Sequence, residues 1–286
     1  MTASRRIPAR TLALLLACVA ALSACALTDS PDAPERGEHA SPAGPEWNTS
    51  PSSIAAIGDS LTTAFHACEV LSDCPETSWA TGSDSTVPSL AQLLPAESAW
   101  NEAVSGSKIA DLPGQAQRAV TYRPELVTVL IGANDACTRE KEAMTETEDF
   151  RADFTEALQV IRSSLPDSQV YVASVPDLMQ LWEVGREHPE ARQVWQFGIC
   201  QSMLRNPLAD TPEAIERRET VRERVQSYNA VLAEVCGEDP LCRYDDGAVF
   251  GYPFSAGELS EWDWFHPSRE GQRILAGLAH QEITRD

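Results

Sequence analysis

Short apolar runs alternate with longer helical patterns along most of this chain, and this alternation restricts its fold more than any other feature. Five apolar runs are typical of strands, the last of them more weakly: residues 54–57, 98–103, 126–131, 169–175 and 242–244. The helical patterns between and after them occupy residues 87–94, 109–120, 147–165, 212–236 and 268–283. Because parallel strands need crossover connections, which are usually helices, the alternation predicts an α/β fold with a parallel sheet.

The first 24 residues have the character of an export signal. Three arginines among the first ten residues precede an apolar stretch at residues 11–24, which is too short to span a bilayer comfortably. The stretch ends in the sequence LSAC, which resembles the bacterial lipobox, where the cysteine thiol receives diacylglycerol. We expect a lipoprotein signal peptide at residues 1–24 and lipidation at Cys25, and cleavage nearby as an ordinary signal peptide is the alternative.

The segment at residues 25–51 contains five prolines and few apolar side chains. Such a segment cannot bury enough surface to fold alone, so we predict a flexible, lipid-anchored tether. One globular domain follows at residues 52–286, because 43% hydrophobic residues suffice for a single large core.

Removal of the signal at Cys25 takes away three arginines, so the formal net charge changes from −21 to −24. A field this acidic repels phosphate backbones, which argues against nucleic acid as a partner. We therefore expect a monomer on the extracellular face of the cell membrane, held there through the lipid anchor at Cys25, or else a secreted protein.

Six cysteines remain outside the signal and the lipobox, and an even number in an exported chain indicates disulfides. Six cysteines allow 15 pairings. Two adjacent pairs are each six residues apart, which favours pairing in chain order: Cys68–Cys74, Cys137–Cys200 and Cys236–Cys242. A zinc site is the competing interpretation, and it is weak because the chain has no C-x-x-C pair. We predict no metal and no organic cofactor.

A candidate nucleophile, Ser60, stands where the first strand ends, in the sequence IAAIGDSLT. Near the C-terminus, EWDWFHPS places Asp263 and His266 three apart, so that the carboxylate can accept the Nδ1 proton and leave Nε2 facing a serine. Gly106 and Asn134 follow the next two strands and should reach the same sheet edge, where they and the Ser60 N–H can form an oxyanion hole. Taken singly, each of these residues could instead be a turn or helix-cap residue.

The blocks GDSL, SG, GAND and DWFH occur in the order that is typical of SGNH (GDSL-type) hydrolases, and the chain resembles this family from residue 54 to about residue 279. The resemblance implies a three-layer α/β/α sandwich around a five-stranded parallel sheet. It also implies an ester hydrolase that acts through an acyl-enzyme. The implied roles are nucleophile for Ser60, general acid and base for His266, orienting acid for Asp263, and oxyanion donors for Ser60, Gly106 and Asn134.

The substrate is less well specified, because the family cleaves lipids, simple esters and acetylated sugars. Residues 177–210 break the strand–helix alternation and are rich in Trp and Met, which suits either a packed irregular insertion or a wall of an apolar cleft. This region and the disulfides are similar to those of secreted actinobacterial lipases and phospholipases of the family, which favours a lipid or other small acyl-ester substrate. A carbohydrate O-acetyl esterase is the alternative, and a ligand-binding surface lipoprotein is the non-enzymatic one.

Other polar residues are expected to be structural. We predict that His66, His188 and His280 are surface or loop histidines, because none has a partner at metal-ligand spacing. Asp59 is expected to support the Ser60 turn, and Asp135 to brace its own loop.

Overall fold

One parallel sheet organises the protein, for which the computed structural model describes residues 47–285. The strands are β1 (Ser53–Gly58), β2 (Ser98–Asn101), β3 (Leu126–Leu130), β4 (Gln169–Val172) and β5 (Cys242–Tyr244). They lie in the order β2-β1-β3-β4-β5. After β2, the chain crosses back over β1 and forms β3 on its other side, so the strand order reverses between β1 and β3. The carboxyl ends of these two strands flank the crevice where α/β sheets bind ligands.

The central strands are covered on both faces, which is why their sequences are continuous apolar runs. All residues of β3 and β4 are buried, as are those of β1 after Ser53. In the β1–β3 register, Gly58 lies opposite Leu130. A Cβ on Gly58 would come within 2.2 Å of the Leu130 carbonyl oxygen, so only glycine allows the strands to approach so closely before Asp59.

Helices cover both faces of the sheet and make the three-layer α/β/α sandwich that the sequence predicts. Over residues 47–285 they are α1 (Leu90–Leu93), α2 (Leu112–Ala119), α3 (Ala133–Ala136), α4 (Thr147–Ser164), α5 (Leu178–Gly185), α6 (Pro189–Trp195), α7 (Gln201–Leu204), α8 (Pro212–Gly237), α9 (Ala248–Gly251) and α10 (Arg269–Ile283). Helices α2, α4 and α8 pack side by side, and α1 packs against α10. None of these helices is both long enough and apolar enough to cross a membrane.

The region at residues 177–210 is helical, which the sequence did not indicate. It contains α5, α6 and α7, and the buried Trp195 of α6 packs against Gly185 at the end of α5. A Cβ on Gly185 would lie 2.3 Å from the Trp195 ring. The corner between α5 and α6 therefore depends on this glycine.

Three disulfides join the cysteines in chain order: Cys68–Cys74, Cys137–Cys200 and Cys236–Cys242. The second of them links the end of α3 to the start of α7, across 63 residues of sequence. This bond ties the helical region at residues 177–210 to the loop that follows β3.

The predicted end of the tether needs correction. The signal peptide, Cys25 and most of the tether lie outside the described residues, but residues 47–51 pack on the domain. The Trp47 indole N–H donates to the carbonyl of Ile283 at 2.9 Å, and the Arg243 guanidinium lies 4.3 Å from the Trp47 ring centre. The folded part therefore already includes Trp47, five residues before the predicted boundary at residue 52.

Candidate active site

Ser60, His266 and Asp263 form a continuous hydrogen-bonded chain at the carboxyl end of β1. His266 Nε2 lies 2.8 Å from Ser60 Oγ, and His266 Nδ1 lies 2.5 Å from Asp263 Oδ2. Because an ionised carboxylate only accepts, we assign the imidazole proton to Nδ1, which leaves the Nε2 lone pair facing the Ser60 hydroxyl. The arrangement can transfer the Ser60 proton to the imidazole.

The turn that carries Ser60 is fixed by Asp59. The Leu61 N–H donates to Asp59 Oδ1 at 2.9 Å, as expected for a residue that supports this turn. Asp59 is fully buried. Burial raises its pKa to about 7, the Leu61 hydrogen bond opposes this increase, and the nearby Asp135 carboxyl adds to it. A buried carboxyl that holds a proton near neutral pH thus lies next to Ser60.

Ser60 does not cap a helix, although its sequence taken alone also allowed that role. Residues 60–66 form successive turns instead. Ala64 has φ = +56° and His66 has φ = +64°, and residues in this left-handed region cannot continue a right-handed helix. The turns bring His66 back toward Asp263.

Asp263 is buried and accepts four hydrogen bonds. Its Oδ1 accepts from the backbone N–H groups of Phe265 and His266, each at 3.0 Å. Its Oδ2 accepts from His266 Nδ1 and, at 2.9 Å, from His66 Nδ1. Burial opposes ionisation of Asp263, but the hydrogen bonds from His266 and His66 outweigh it and hold the pKa of this carboxyl below its usual value.

His66 lies in the turns after Ser60, as a loop histidine would, but it is not at the surface, so that part of the prediction is wrong. Its side chain is buried, and its ring stacks on Phe65 with 4.1 Å between ring centres. Its partner Asp263 is 197 residues away in the sequence, so no local spacing could have indicated the contact. His188 and His280 are partly exposed, as expected, although His188 stacks on Trp264 at 4.4 Å.

The predicted oxyanion donors lie on two loops that are joined to each other. Gly106 has φ = +85° and open space where a Cβ would be, and Asn134 lies on α3. Asn134 Nδ2 donates one proton to the Ser107 carbonyl at 3.0 Å, which leaves its second N–H proton available. Within residues 47–285, neither the Ser60 N–H nor the Gly106 N–H donates to another protein group.

Asp135 braces the same two loops, as expected. Its Oδ2 accepts the Ile109 N–H at 2.9 Å, and its Oδ1 accepts the Thr145 hydroxyl at 2.6 Å. Burial raises the pKa of Asp135 to about 6, although both hydrogen bonds oppose this increase. The loop after β2 and the segment after β3 are thus joined by hydrogen bonds of Asn134 and its neighbour Asp135.

An apolar cavity lies beside the residues that flank Ser60, Asn134 and His266. Its enclosed volume is about 30 Å³, and it is partly open to solvent. One side is formed by neighbours of these three residues, namely Leu61, Ala133, Phe265 and Pro267. The other apolar lining residues are Pro176, Leu178, Leu181, Phe254, Leu259 and Leu275. The first turn of the region at residues 177–210 therefore does form a wall of an apolar cleft, one of the two interpretations of its sequence.

The rest of that region supports the Asp263 segment. The Trp195 indole N–H donates to the Asp263 carbonyl at 3.1 Å, and Trp195 is buried. Helix α6 therefore contacts the backbone of the same residue whose carboxylate accepts from His266.

Three side chains at the site also have the composition of a metal-binding cluster. Ligand atoms of His66, Asp263 and His266 lie within 4.8 Å of one another. Both imidazole Nδ1 atoms, however, contact the same carboxylate oxygen, so each nitrogen carries a proton rather than a free lone pair. The geometry is that of a hydrogen-bonded network.

A serine, an imidazole and a carboxylate in this arrangement, at the switch point of a parallel sheet, define a serine-dependent ester hydrolase. Residues 56–274 match the model of the GDSL-like Lipase/Acylhydrolase family. The chain belongs to this family, and its fold is the SGNH hydrolase fold.

Individual relatives are distant. Membrane-associated phospholipase B1 of Mus musculus is 24% identical over 174 residues, and that of Homo sapiens is 26% identical; each match covers 47% of this chain. The chain spans only 12% of the length of these two relatives.

Solved structures share the fold at low identity. An acetylxylan esterase from Geobacillus stearothermophilus is 18% identical with a TM-score of 0.51, over 82% of this chain and 95% of that one. A family two carbohydrate esterase from Clostridium thermocellum is 18% identical with a TM-score of 0.51, over 81% of this chain and 63% of that one.

Proposed function

We propose that this protein hydrolyses acyl esters through a covalent intermediate on Ser60. The observation that carries the proposal is the contact of 2.8 Å between His266 Nε2 and Ser60 Oγ, with His266 Nδ1 held by Asp263. A serine hydroxyl is a weak nucleophile until a base accepts its proton, and this contact provides the base.

In the first half of the reaction, His266 Nε2 takes the hydroxyl proton as Ser60 Oγ attacks the ester carbonyl carbon. Ionised Asp263 stabilises the imidazolium that forms. The tetrahedral oxyanion accepts hydrogen bonds from the N–H groups of Ser60 and Gly106 and from the free N–H of Asn134. The imidazolium then protonates the departing alcohol, and the acyl group stays on Ser60.

In the second half, water attacks the acyl-enzyme while His266 again accepts a proton. The oxyanion occupies the same site, and its collapse expels Ser60 Oγ, which recovers its proton from the imidazolium. The products are an alcohol and a carboxylic acid, and all atoms of the ester and the water are accounted for. No metal or organic cofactor takes part.

The proposed substrate is an ester with a medium or long acyl chain, such as a lipid. Support comes from the apolar cavity next to Ser60, Asn134 and His266, whose far wall includes Leu178 and Leu181 of α5. The similarity to phospholipase B1 also supports a lipid substrate. The carbohydrate esterases share the fold, so release of acetate from acetylated sugars is the alternative activity.

We also propose that the enzyme is exported, processed and lipidated at Cys25, and that it acts as a monomer at the outer face of the membrane. The support is the arginine-led apolar stretch that ends in the sequence LSAC, together with the three disulfides, which are typical of exported proteins.

A chain-length series of nitrophenyl esters, compared with acetylxylan and a phospholipid, tests the substrate proposal. We expect kcat/KM to increase from acetate to octanoate, and Leu181→Trp to lower it at least tenfold for octanoate but less than threefold for acetate. Leu208→Trp is the control, because Leu208 is exposed and lies outside the cavity. Release of acetate with no cleavage of chains of eight carbons or more would contradict the lipid proposal.

A further inference from the structure

His66 contacts the Asp263 carboxylate, and in residues 47–285 it makes no hydrogen bond to Ser60. The four donors to this carboxylate within the described residues come from Phe265, His266 and His66. Those of Phe265 and His266 belong to the same short segment as Asp263 itself. His66 is the donor that joins this segment to the loop after Ser60.

Several contacts fix the backbone of His66. Its N–H donates to the Ser72 carbonyl at 2.9 Å, and its carbonyl accepts the Ser260 hydroxyl at 2.8 Å. The Cys68–Cys74 disulfide closes the loop just after it. His66 has φ = +64°, a left-handed conformation that residues other than Gly, Asn, Asp and His seldom adopt, and the contacts above stabilise it.

The hydrogen bonding of its ring shows that His66 is a donor to Asp263. His66 Nδ1 lies 2.9 Å from Asp263 Oδ2, and because the carboxylate only accepts, Nδ1 is the protonated nitrogen. His66 Nε2 is buried without a hydrogen-bond partner in residues 47–285. The one polar contact of the ring is therefore the bond to Asp263.

We propose that His66 is a positioning residue, which holds the Asp263 carboxylate in the orientation that His266 needs. Asp263 Oδ1 is fixed by two backbone N–H groups, and His66 fixes Oδ2 at the point where His266 also donates. Without His66, the position of Oδ2 depends on the His266 ring alone, and that ring must also face Ser60. The inference rests on the hydrolase mechanism proposed above.

Two substitutions separate the hydrogen bond from the backbone conformation. Glycine and asparagine both tolerate φ = +64°, so neither His66→Gly nor His66→Asn introduces backbone strain. The asparagine amide can place an N–H where His66 Nδ1 lies, whereas glycine offers no side-chain donor. His188→Ala is the matched control, because His188 also stacks on an aromatic ring beside Asp263 but makes no bond to this carboxylate.

The measurement is kcat and KM on the best nitrophenyl ester, with the melting temperature of each variant. His66→Gly should lower kcat roughly 10- to 100-fold, as expected for loss of a hydrogen bond to a charged group, and change KM less than about twofold. His66→Asn should recover kcat to within about threefold of wild type, and His188→Ala should stay within about twofold. A role in packing alone would not produce this recovery.

A folded His66→Gly variant with a kcat within twofold of wild type would overturn the proposal, as would a folded His66→Asn variant no faster than His66→Gly. If His66→Gly does not fold, His66→Phe takes its place, because its ring can occupy the space of the imidazole but has no N–H to donate. A folded His66→Phe variant as fast as His66→Asn would again overturn the proposal. A wild-type enzyme that does not react with a fluorophosphonate would instead refute the serine mechanism itself.

Discussion

The buried Asp59 carboxyl should make the stability of this protein depend on pH, and Asp59→Asn isolates its effect. Asp59 is fully buried, and its Oδ2 has no hydrogen-bond partner in the described part of the chain. Burial raises the pKa of this carboxyl from its ordinary 3.8 to about 7, with a smaller increase from Asp135. Asparagine has the same shape and can still accept the Leu61 N–H, but it does not ionise.

The direction in which stability changes with pH follows from proton binding to Asp59. Because the pKa of Asp59 is higher in the folded state, the folded protein retains a proton that the unfolded chain releases between pH 3.8 and pH 7. The stabilisation is complete below pH 3.8 and is lost as the pH increases to 7. A difference of about three pH units corresponds to about 4 kcal/mol in the free energy of unfolding, of which roughly 2 to 3 kcal/mol is lost between pH 5 and pH 8.

Asp263 has the opposite effect on the pH dependence of stability. Its pKa is lower in the folded state, so its stabilisation is present above the ordinary carboxyl pKa and is lost as the pH decreases through the lowered folded value. The two carboxyls together predict maximum stability in mildly acidic solution. Between pH 5 and pH 8 Asp263 stays ionised, while Asp59 and Asp135, whose pKa is about 6, both titrate, so the comparison with Asp59→Asn is what isolates Asp59.

Urea unfolding at pH 5 and pH 8, followed by tryptophan fluorescence, measures this difference. The free energy of unfolding of Asp59→Asn should change between the two pH values by roughly 2 to 3 kcal/mol less than that of wild type. Asp167→Asn, at an exposed turn, is the control and should behave like wild type. Equal pH dependence in wild type and Asp59→Asn would show that Asp59 does not hold a proton in the folded protein.

Two further predictions concern the oxyanion hole and the disulfides. Asn134→Ala should fold normally and lower kcat about 100- to 1000-fold in steady-state assays, because one oxyanion donor is lost; an unchanged kcat would exclude Asn134 from this role. Replacing Cys137 and Cys200 by alanine should cost about 4 kcal/mol in urea unfolding, against about 2 kcal/mol for Cys236 and Cys242, because the first pair closes a much longer loop. Equal losses for the two pairs would contradict the chain-entropy explanation.

The sheet could be predicted from the sequence because its central strands are buried on both faces and are therefore apolar runs. The residues at which the strands end could not be predicted. Ser174 and Val175 are fully buried although β4 ends at Val172, since the loop after the strand continues through the core. Hydrophobicity reports burial there, and it does not show where the hydrogen bonds between strands stop.

The candidate site also contains residues that could be predicted from the sequence and others that could not. Asp263 and His266 are three residues apart, and the blocks around Ser60 and His266 resemble those of SGNH hydrolases in sequence and order, so the proximity of all three could be predicted. His66 could not be found in this manner, because its contact with Asp263 depends on two left-handed residues and on the packing of distant segments. Helices α5 to α7 are short and rely on tertiary contacts such as that between Gly185 and Trp195, which local propensity does not encode.

The central claim is that Ser60 carries the acyl group, and mass spectrometry of the trapped enzyme tests it most directly. After brief reaction with a nitrophenyl ester and acid quenching, wild type should gain the mass of one acyl group on the peptide that contains Ser60. Ser60→Ala should gain none and should not react with a fluorophosphonate. An adduct on another residue, or equal labelling of Ser60→Ala, would contradict the proposed mechanism.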